Sequence, residues 1–102
     1  TMRAVSGEGK AGAGKPDPIS SILKMKGAEL LQSSTETLVN VSGPNSTPWQ
    51  PDRQDVRRNE PLVGPDWAAP LASNYFYFRA ASIYGGSNEI QRNILAKAVL
   101  GL

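Results

Sequence analysis

The sequence predicts an all-α fold, and three observations lead to that prediction. Apolar residues recur at helical spacing in three segments, and residues that start or end helices bracket each of them. Nowhere do apolar and polar residues alternate with the period of two that is typical of a β-strand. We therefore expect about three helices, joined by a long proline-rich loop over residues 44–66, in a chain of 102 residues that is at most one small domain.

The first predicted helix begins at Asp17-Pro18 and ends at Gly43-Pro44. Asp17 can accept hydrogen bonds from the free amides of the first turn, and Pro18 suits the first helical position. Gly43 can adopt a left-handed cap, after which Pro44 prevents continuation. A helix this long needs other helices to cover its broad apolar face, which consists of Ile19, Ile22, Leu23, Leu30, Leu31, Leu38 and Val41.

Two shorter helices are predicted after the loop. One runs from Trp67 or Pro70 to Tyr84, and its aromatic residues 75–78 are interpreted as core because they recur at helical spacing. The other begins at a Ser87 cap and ends at Gly101. Trp49 is expected to anchor the loop by packing against a neighbour.

Composition excludes several classes of function. The absence of Cys and His removes thiolate chemistry, His-based catalytic bases and the usual zinc sites, so we expect no metal site. A net charge of +2 is too balanced for a nucleic-acid binder. Because no apolar run approaches the length of a membrane span, we expect a soluble protein, cytoplasmic by default.

The first sixteen residues are predicted to be a flexible linker or a boundary segment, because they are rich in Gly and poor in large apolar groups. Their four glycines and Lys15 resemble a phosphate-binding loop only loosely. The GK[ST] ending is missing and no strand precedes them, so a linker is the better interpretation.

The segment Tyr84-Gly85-Gly86-Ser87-Asn88-Glu89 is the candidate functional site. Two glycines allow the backbone to approach a ligand closely, and the amides and positive dipole end of the following helix favour an anion or a phosphate. The alternative is a sharp helix–helix corner capped by Ser87. The pattern alone does not decide between these interpretations.

The C-terminal sequence IYGGSNEIQRNILAKAVLGL closely resembles the C-terminus of acyl-CoA dehydrogenases, the flavoenzymes that desaturate acyl-CoA thioesters between the α and β carbons. Residues 20–44 are similar to the preceding bundle helix of that family. The resemblance implies that residues 17–102 are a C-terminal fragment of the family's up-and-down four-helix bundle. It also implies FAD as cofactor, an acyl-CoA of fatty acid metabolism as substrate and an electron-transfer acceptor as partner.

By the same resemblance, Ser87, Asn88 and Glu89 contact FAD. Gly86 corresponds to a glycine beside the acyl-CoA thioester, where a Cβ would crowd the substrate, and Tyr84 lies near the flavin ring or the pocket wall, together with Ile83.

The resemblance fails at one position. Many members have Glu directly after the tyrosine, as the base that removes the α-proton, whereas this chain has Gly85. We therefore assign no catalytic residue to the chain, and expect the fragment alone to be inactive. Glu89 is the nearby carboxylate, but capping and dipole roles suffice to explain it.

Two further interpretations remain open. The chain is alternatively a non-catalytic helical subunit or assembly module of an acyl-CoA dehydrogenase complex, or a free-standing phosphate-binding helical module. In each case we expect a homo- or hetero-oligomer formed through helical faces, since so short a chain has little core of its own.

Overall fold

Three α-helices dominate the part of the chain that the structure, a computed structural model, describes, namely residues 17–57 and 59–102. They are α1 (Pro18–Ser42), α2 (Leu71–Tyr77) and α3 (Asn88–Leu100), accompanied by 3-10 segments at Gly43–Ser46, Pro51–Gln54 and Phe78–Ser82. These residues contain no strand, which confirms the all-α prediction. The predicted linker over residues 1–16 lies outside the described residues.

Helix α1 begins and ends where its sequence signals predict. The Ile19 amide donates to Asp17 Oδ1 at 2.9 Å, so Asp17 caps the first turn. Gly43 follows the last residue with a φ of +53°, the left-handed conformation that favours glycine. The 25 residues between them give a rod of about 37 Å.

Helix α2 is shorter than predicted. Pro70 occupies its N-cap, and after Tyr77 the chain tightens into the 3-10 segment Phe78–Ser82 instead of continuing as α-helix to Tyr84. The carbonyls of Phe78 and Arg79 accept hydrogen bonds from the side chain of Gln32 on α1. The last carbonyl groups at a helix end have no partner within the helix, so they can accept hydrogen bonds from such outside donors.

The described residues form two compact units. The first combines residues 17–30 of the N-terminal part of α1 with residues 81–102, which include α3. The second combines the rest of α1 with the loop and α2, over residues 31–57 and 59–80. The candidate site lies wholly within the first unit.

Small side chains line the buried face of α1. Ser21 and Ala28 are buried in the first unit and Thr35 and Ser42 in the second, at intervals of seven residues. At the rotation of an ideal helix, this face lies about 140° from the predicted apolar face. The apolar face is covered only in part among the described residues: Leu31 is half-buried, whereas Leu30 is 69% exposed and Val41 is 70% exposed. The expectation that α1 needs further helices to cover it agrees with this exposure.

The loop of the second unit is held by Gln50 and not by Trp49. The prediction that Trp49 packs against a neighbour is wrong, because its side chain is 78% exposed. Gln50, only 7% exposed, accepts a hydrogen bond at Oε1 from the Val63 amide at 3.0 Å. A carboxamide can bridge two parts of a loop through the backbone, which an indole ring at this position does not do.

The aromatic residues of α2 and the segment after it form a core only in part. Tyr75 and Phe78 are half-buried, as the core interpretation requires, whereas Phe76 and Tyr77 are exposed. Consecutive residues of a helix point about 100° apart, so four aromatic residues in a row cannot all face one side.

Candidate functional site

Two consecutive glycines in left-handed conformation form the turn that enters α3. Gly85 has a φ of +67° and Gly86 a φ of +88°, values that residues with a side chain rarely adopt. A Cβ built on Gly85 would meet no atom within 4 Å, so the space beside this residue is open. The left-handed backbone conformation, and not a lack of space, is therefore the reason that position 85 favours glycine.

Ser87 caps α3 as predicted. Its extended backbone has a φ of −61° and a ψ of 157°, and its hydroxyl accepts a hydrogen bond from the Ile90 amide at 3.4 Å. The Ser87 carbonyl accepts the first regular helical bond, from the Gln91 amide at 2.9 Å. The amides of Asn88 and Glu89 lie in this first turn, at the positive end of the helix dipole.

Lys24 reaches this helix start from α1. Its Nζ donates to Asn88 Oδ1 at 3.4 Å, a contact between residues 64 positions apart in the sequence. The ammonium group adds positive charge beside amides that already favour negative ligands. Sequence reasoning missed Lys24, because a helical lysine carries no local signal of such a distant partner.

Glu89 is held in its ionised form. Hydrogen bonds from its own main-chain amide and from the Ser87 hydroxyl lower the pKa of its carboxyl group, and the positive charges of Arg92 and Lys24 add to the shift. A carboxylate with a lowered pKa is a weaker base. The electrostatics therefore agree with a capping role for Glu89 and not with proton abstraction.

Gln91 belongs to the site although the sequence analysis did not single it out. Its Nε2 donates to the Gly85 carbonyl at 3.2 Å, folding the side chain back over the glycine turn. A Cβ built on Gly86 would lie 2.6 Å from this same Nε2. The sequence predicts that Gly86 makes room for a substrate. The Gln91 side chain is a second reason why a larger residue does not fit at this position.

Tyr84 and Ile83 are exposed and precede the turn. Neither lines the largely apolar groove of about 410 Å³ in the same unit, whose lining residues are Ile22, Arg92, Leu95, Ala96, Val99 and Leu100. The structure thus brings Gly85 to Glu89 together with Lys24 and Gln91. It does not enclose Tyr84 in a pocket formed by the described residues.

Among residues 17–57 and 59–102, no group of three or more acidic side chains is arranged to hold a metal ion. None of the helices in that part of the chain combines the length and the apolar character that a membrane crossing requires.

The fold and the site define a helical domain with a glycine turn that opens a polar, positively polarised helix start. The chain matches the family model described as acyl-CoA dehydrogenase, C-terminal domain, over residues 1–100, and it belongs to this family.

Two curated relatives share a short, highly similar segment with the chain. They are the acyl-CoA dehydrogenases IpdE1 of Mycobacterium tuberculosis and of Mycolicibacterium smegmatis, each 71% identical over 28 residues. That segment is 28% of this chain and 7% of each relative, so the match spans a small part of their length. No solved structure matches the chain.

Proposed function

We propose that the chain is the C-terminal, FAD- and acyl-CoA-contacting segment of an acyl-CoA dehydrogenase that desaturates acyl-CoA thioesters. One observation carries the proposal: two left-handed glycines lead directly into the Ser87-capped start of α3. This arrangement brings main-chain amides, a hydroxyl and a carboxamide to one edge, to which the two glycines themselves add no side chain. Membership of the acyl-CoA dehydrogenase family supports the assignment.

The residues present at this edge fit a flavin dinucleotide. The open space beside Gly85 accepts a bulky neighbour, and the dipole end of α3 with Lys24 favours an anionic or electron-rich group. Ser87, Asn88 and Glu89 are the residues that would hold the cofactor. The cofactor would supply the acceptor for the hydride that leaves the β-carbon of the substrate, and the protein's part would be binding and orientation.

Gly86 and Tyr84 are proposed to lie beside the acyl-CoA thioester. Both residues are exposed in this chain, so a substrate can reach them. Other parts of the enzyme would enclose the rest of the substrate. Gly86 brings the backbone close to the thioester, and Tyr84 forms part of the pocket wall with Ile83.

The base that takes the α-proton is proposed to come from outside this chain. Gly85 has no side chain to accept a proton, and the lowered pKa of Glu89 makes that carboxylate a poor base. The chain by itself is therefore proposed to be inactive.

We further propose that α1 to α3 take part in an up-and-down four-helix bundle that other segments of a longer protein complete. The support is the uncovered apolar face of α1, on which Leu30 and Val41 are mostly exposed. In water such a face is costly unless another helix covers it, either from the same protein or from a partner subunit of a homo- or hetero-oligomer. An electron-transfer acceptor is the further partner that the proposed chemistry requires.

One observation favours a second candidate function. Because Gly85 occupies the position of the family's usual base, the chain also suits a non-catalytic helical subunit of an acyl-CoA dehydrogenase complex. Such a subunit would use the same helical faces for assembly and leave catalysis to its partner.

The two candidates differ in what the purified full-length protein does. An enzyme should be yellow, with a flavin absorption band that bleaches when acyl-CoA is added, and should reduce a dye acceptor. A Ser87→Ala variant should hold less flavin, whereas Ser33→Ala, an exposed serine on α1, serves as a matched control. A full-length protein without flavin, and without acyl-CoA-dependent dye reduction, would overturn the first candidate in favour of the second.

A further inference from the structure

The side chain of Gln91 closes the glycine turn from the helix side. Its Nε2 lies 3.2 Å from the Gly85 carbonyl oxygen, while its own main-chain amide donates to the Ser87 carbonyl at 2.9 Å. One residue therefore holds the chain on both sides of Gly86, through its side chain before that residue and through its main chain after it.

We propose that Gln91 is a positioning residue, which fixes the Gly85-Gly86 turn and through it the amides at the start of α3. The inference rests on the proposed function, because it assigns to Gln91 the orientation of the groups that would meet FAD and acyl-CoA. Gln91 itself need not touch either molecule.

A turn of two glycines needs such a restraint. Glycine visits many backbone conformations, so two in succession lose more conformational entropy on ordering than any other pair. The exposed edge of the turn offers few packing contacts to offset that loss, since both Gly85 and Gly86 are exposed. The hydrogen bond from the Gln91 carboxamide to the Gly85 carbonyl, although exposed, favours one of these conformations.

The same geometry gives Gly86 a reason to be glycine that involves no ligand. A Cβ at this position would lie 2.6 Å from Gln91 Nε2, so a larger residue would displace the carboxamide from the Gly85 carbonyl. Gly86 and Gln91 are thus expected to depend on each other when they are substituted.

The first test replaces the donor without changing the size of the side chain. Gln91→Met in the full-length protein removes the hydrogen bond, and Gln91→Glu keeps the shape but sets a carboxylate against the Gly85 carbonyl. Gln54→Met, at an exposed glutamine of the loop, is the matched control. Hydrogen exchange of the amides of residues 85–90 should be faster in both Gln91 variants and unchanged in Gln54→Met.

The functional readout is a shift in flavin retention and in KM for acyl-CoA. Losing one neutral hydrogen bond predicts about fivefold weaker retention or binding, and kcat should change less than KM. The flavin absorption band should also shift in Gln91→Met, which a purely structural role far from the cofactor would not cause. Unchanged exchange, spectrum and KM in Gln91→Met would overturn the inference.

A second test examines the coupling of Gly86 with Gln91. Gly86→Ala should increase exchange of the turn in the wild-type background, and should have a smaller additional effect when Gln91 is already Ala. Equal effects in the two backgrounds would contradict the proposed dependence. A wild-type protein without flavin would refute the proposed function, whereas the exchange measurements decide separately whether Gln91 fixes the turn.

Discussion

Gln32 and Arg79 each donate a side-chain hydrogen bond to the main-chain carbonyl of the other. Gln32 Nε2 lies 3.2 Å from the Arg79 carbonyl and Arg79 Nη2 lies 3.1 Å from the Gln32 carbonyl, across 47 positions of sequence. The Arg79 guanidinium also stacks over the Tyr75 ring at 4.5 Å. This reciprocal pair joins α1 to the 3-10 segment that follows α2.

Removing the Gln32 carboxamide should loosen this junction. We expect Gln32→Leu to destabilise the protein by about 1–2 kcal/mol, because the carbonyls of Phe78 and Arg79 lose a part-buried donor. Thermal unfolding of the full-length protein, followed by circular dichroism, measures the change. The exposed control Gln54→Leu should leave the unfolding temperature unaltered, and an equal shift in both variants would count against the junction.

The isolated chain should associate with itself or remain partly molten. The cause is the incompletely covered apolar face of α1. A charged substitution at the centre of this face should weaken the self-association. We expect Leu30→Glu to lower the sedimentation coefficient of the isolated chain. Gln54→Glu adds the same charge at an exposed position of the loop, away from α1, and should not do so. A wild-type chain that sediments as a monomer and melts cooperatively would show that the face needs no cover.

A carboxylate introduced at Gly85 distinguishes the two candidate functions. With φ at +67°, any residue with a side chain is strained there by about 1–2 kcal/mol, but the space for it is open. If the full-length protein already has a base, a second carboxylate should leave acyl-CoA dehydrogenation similar or lower, because like charges raise one of the two pKa values. We expect this outcome for Gly85→Glu.

The measurement is dye reduction by acyl-CoA at equal flavin content, with Gly85→Gln as a control of equal size that cannot act as a base. An inactive parent that gains activity with Gly85→Glu, on the order of 10²–10⁴-fold, and not with Gly85→Gln would instead support the non-catalytic subunit.

The lowered pKa of Glu89 predicts a pH-dependent contribution to stability. Hydrogen bonds in the folded chain favour its carboxylate, so the folded pKa lies below the unfolded one. The contribution is therefore fully present above the unfolded pKa of about 4.3, and is lost as the pH falls through the folded pKa. Glu89→Gln should melt at a lower temperature than wild type at neutral pH, and the difference should shrink towards pH 3. A difference in melting temperature between the two proteins that stays constant from pH 7 to pH 3 would contradict this prediction.

The parts of the fold that depend on neighbouring residues were predictable. Asp17, Gly43, Ser87 and Gly101 act on backbone groups within four positions, and each occupies the cap that the sequence predicts. The glycine turn was predicted for the same reason. Its role towards FAD and acyl-CoA stays a prediction, since it came from the resemblance to acyl-CoA dehydrogenases.

The parts that depend on distant partners were not predictable. Lys24 meets Asn88, and Gln32 meets Arg79, across dozens of positions, and polar helical residues show no pattern that reveals such partners. The burial of α1 also differs from what hydrophobic periodicity indicates. Periodicity identifies a face that the described residues leave exposed, whereas these residues bury the face of small side chains.

That face has a consequence for the tolerance of α1 to mutation. Ser21, Ala28, Thr35 and Ser42 make no chemical contribution to the proposed site, and each is small enough to allow close contact with its surroundings. Because these four side chains are buried, we expect an added methylene group at any of them to be costly, whereas the exposed Leu30 and Leu38 should tolerate trimming in the isolated chain. A saturation library of the isolated chain would therefore rank serine and alanine positions above leucine positions in sensitivity. If other helices cover the apolar face, as proposed, the leucine positions should become sensitive as well.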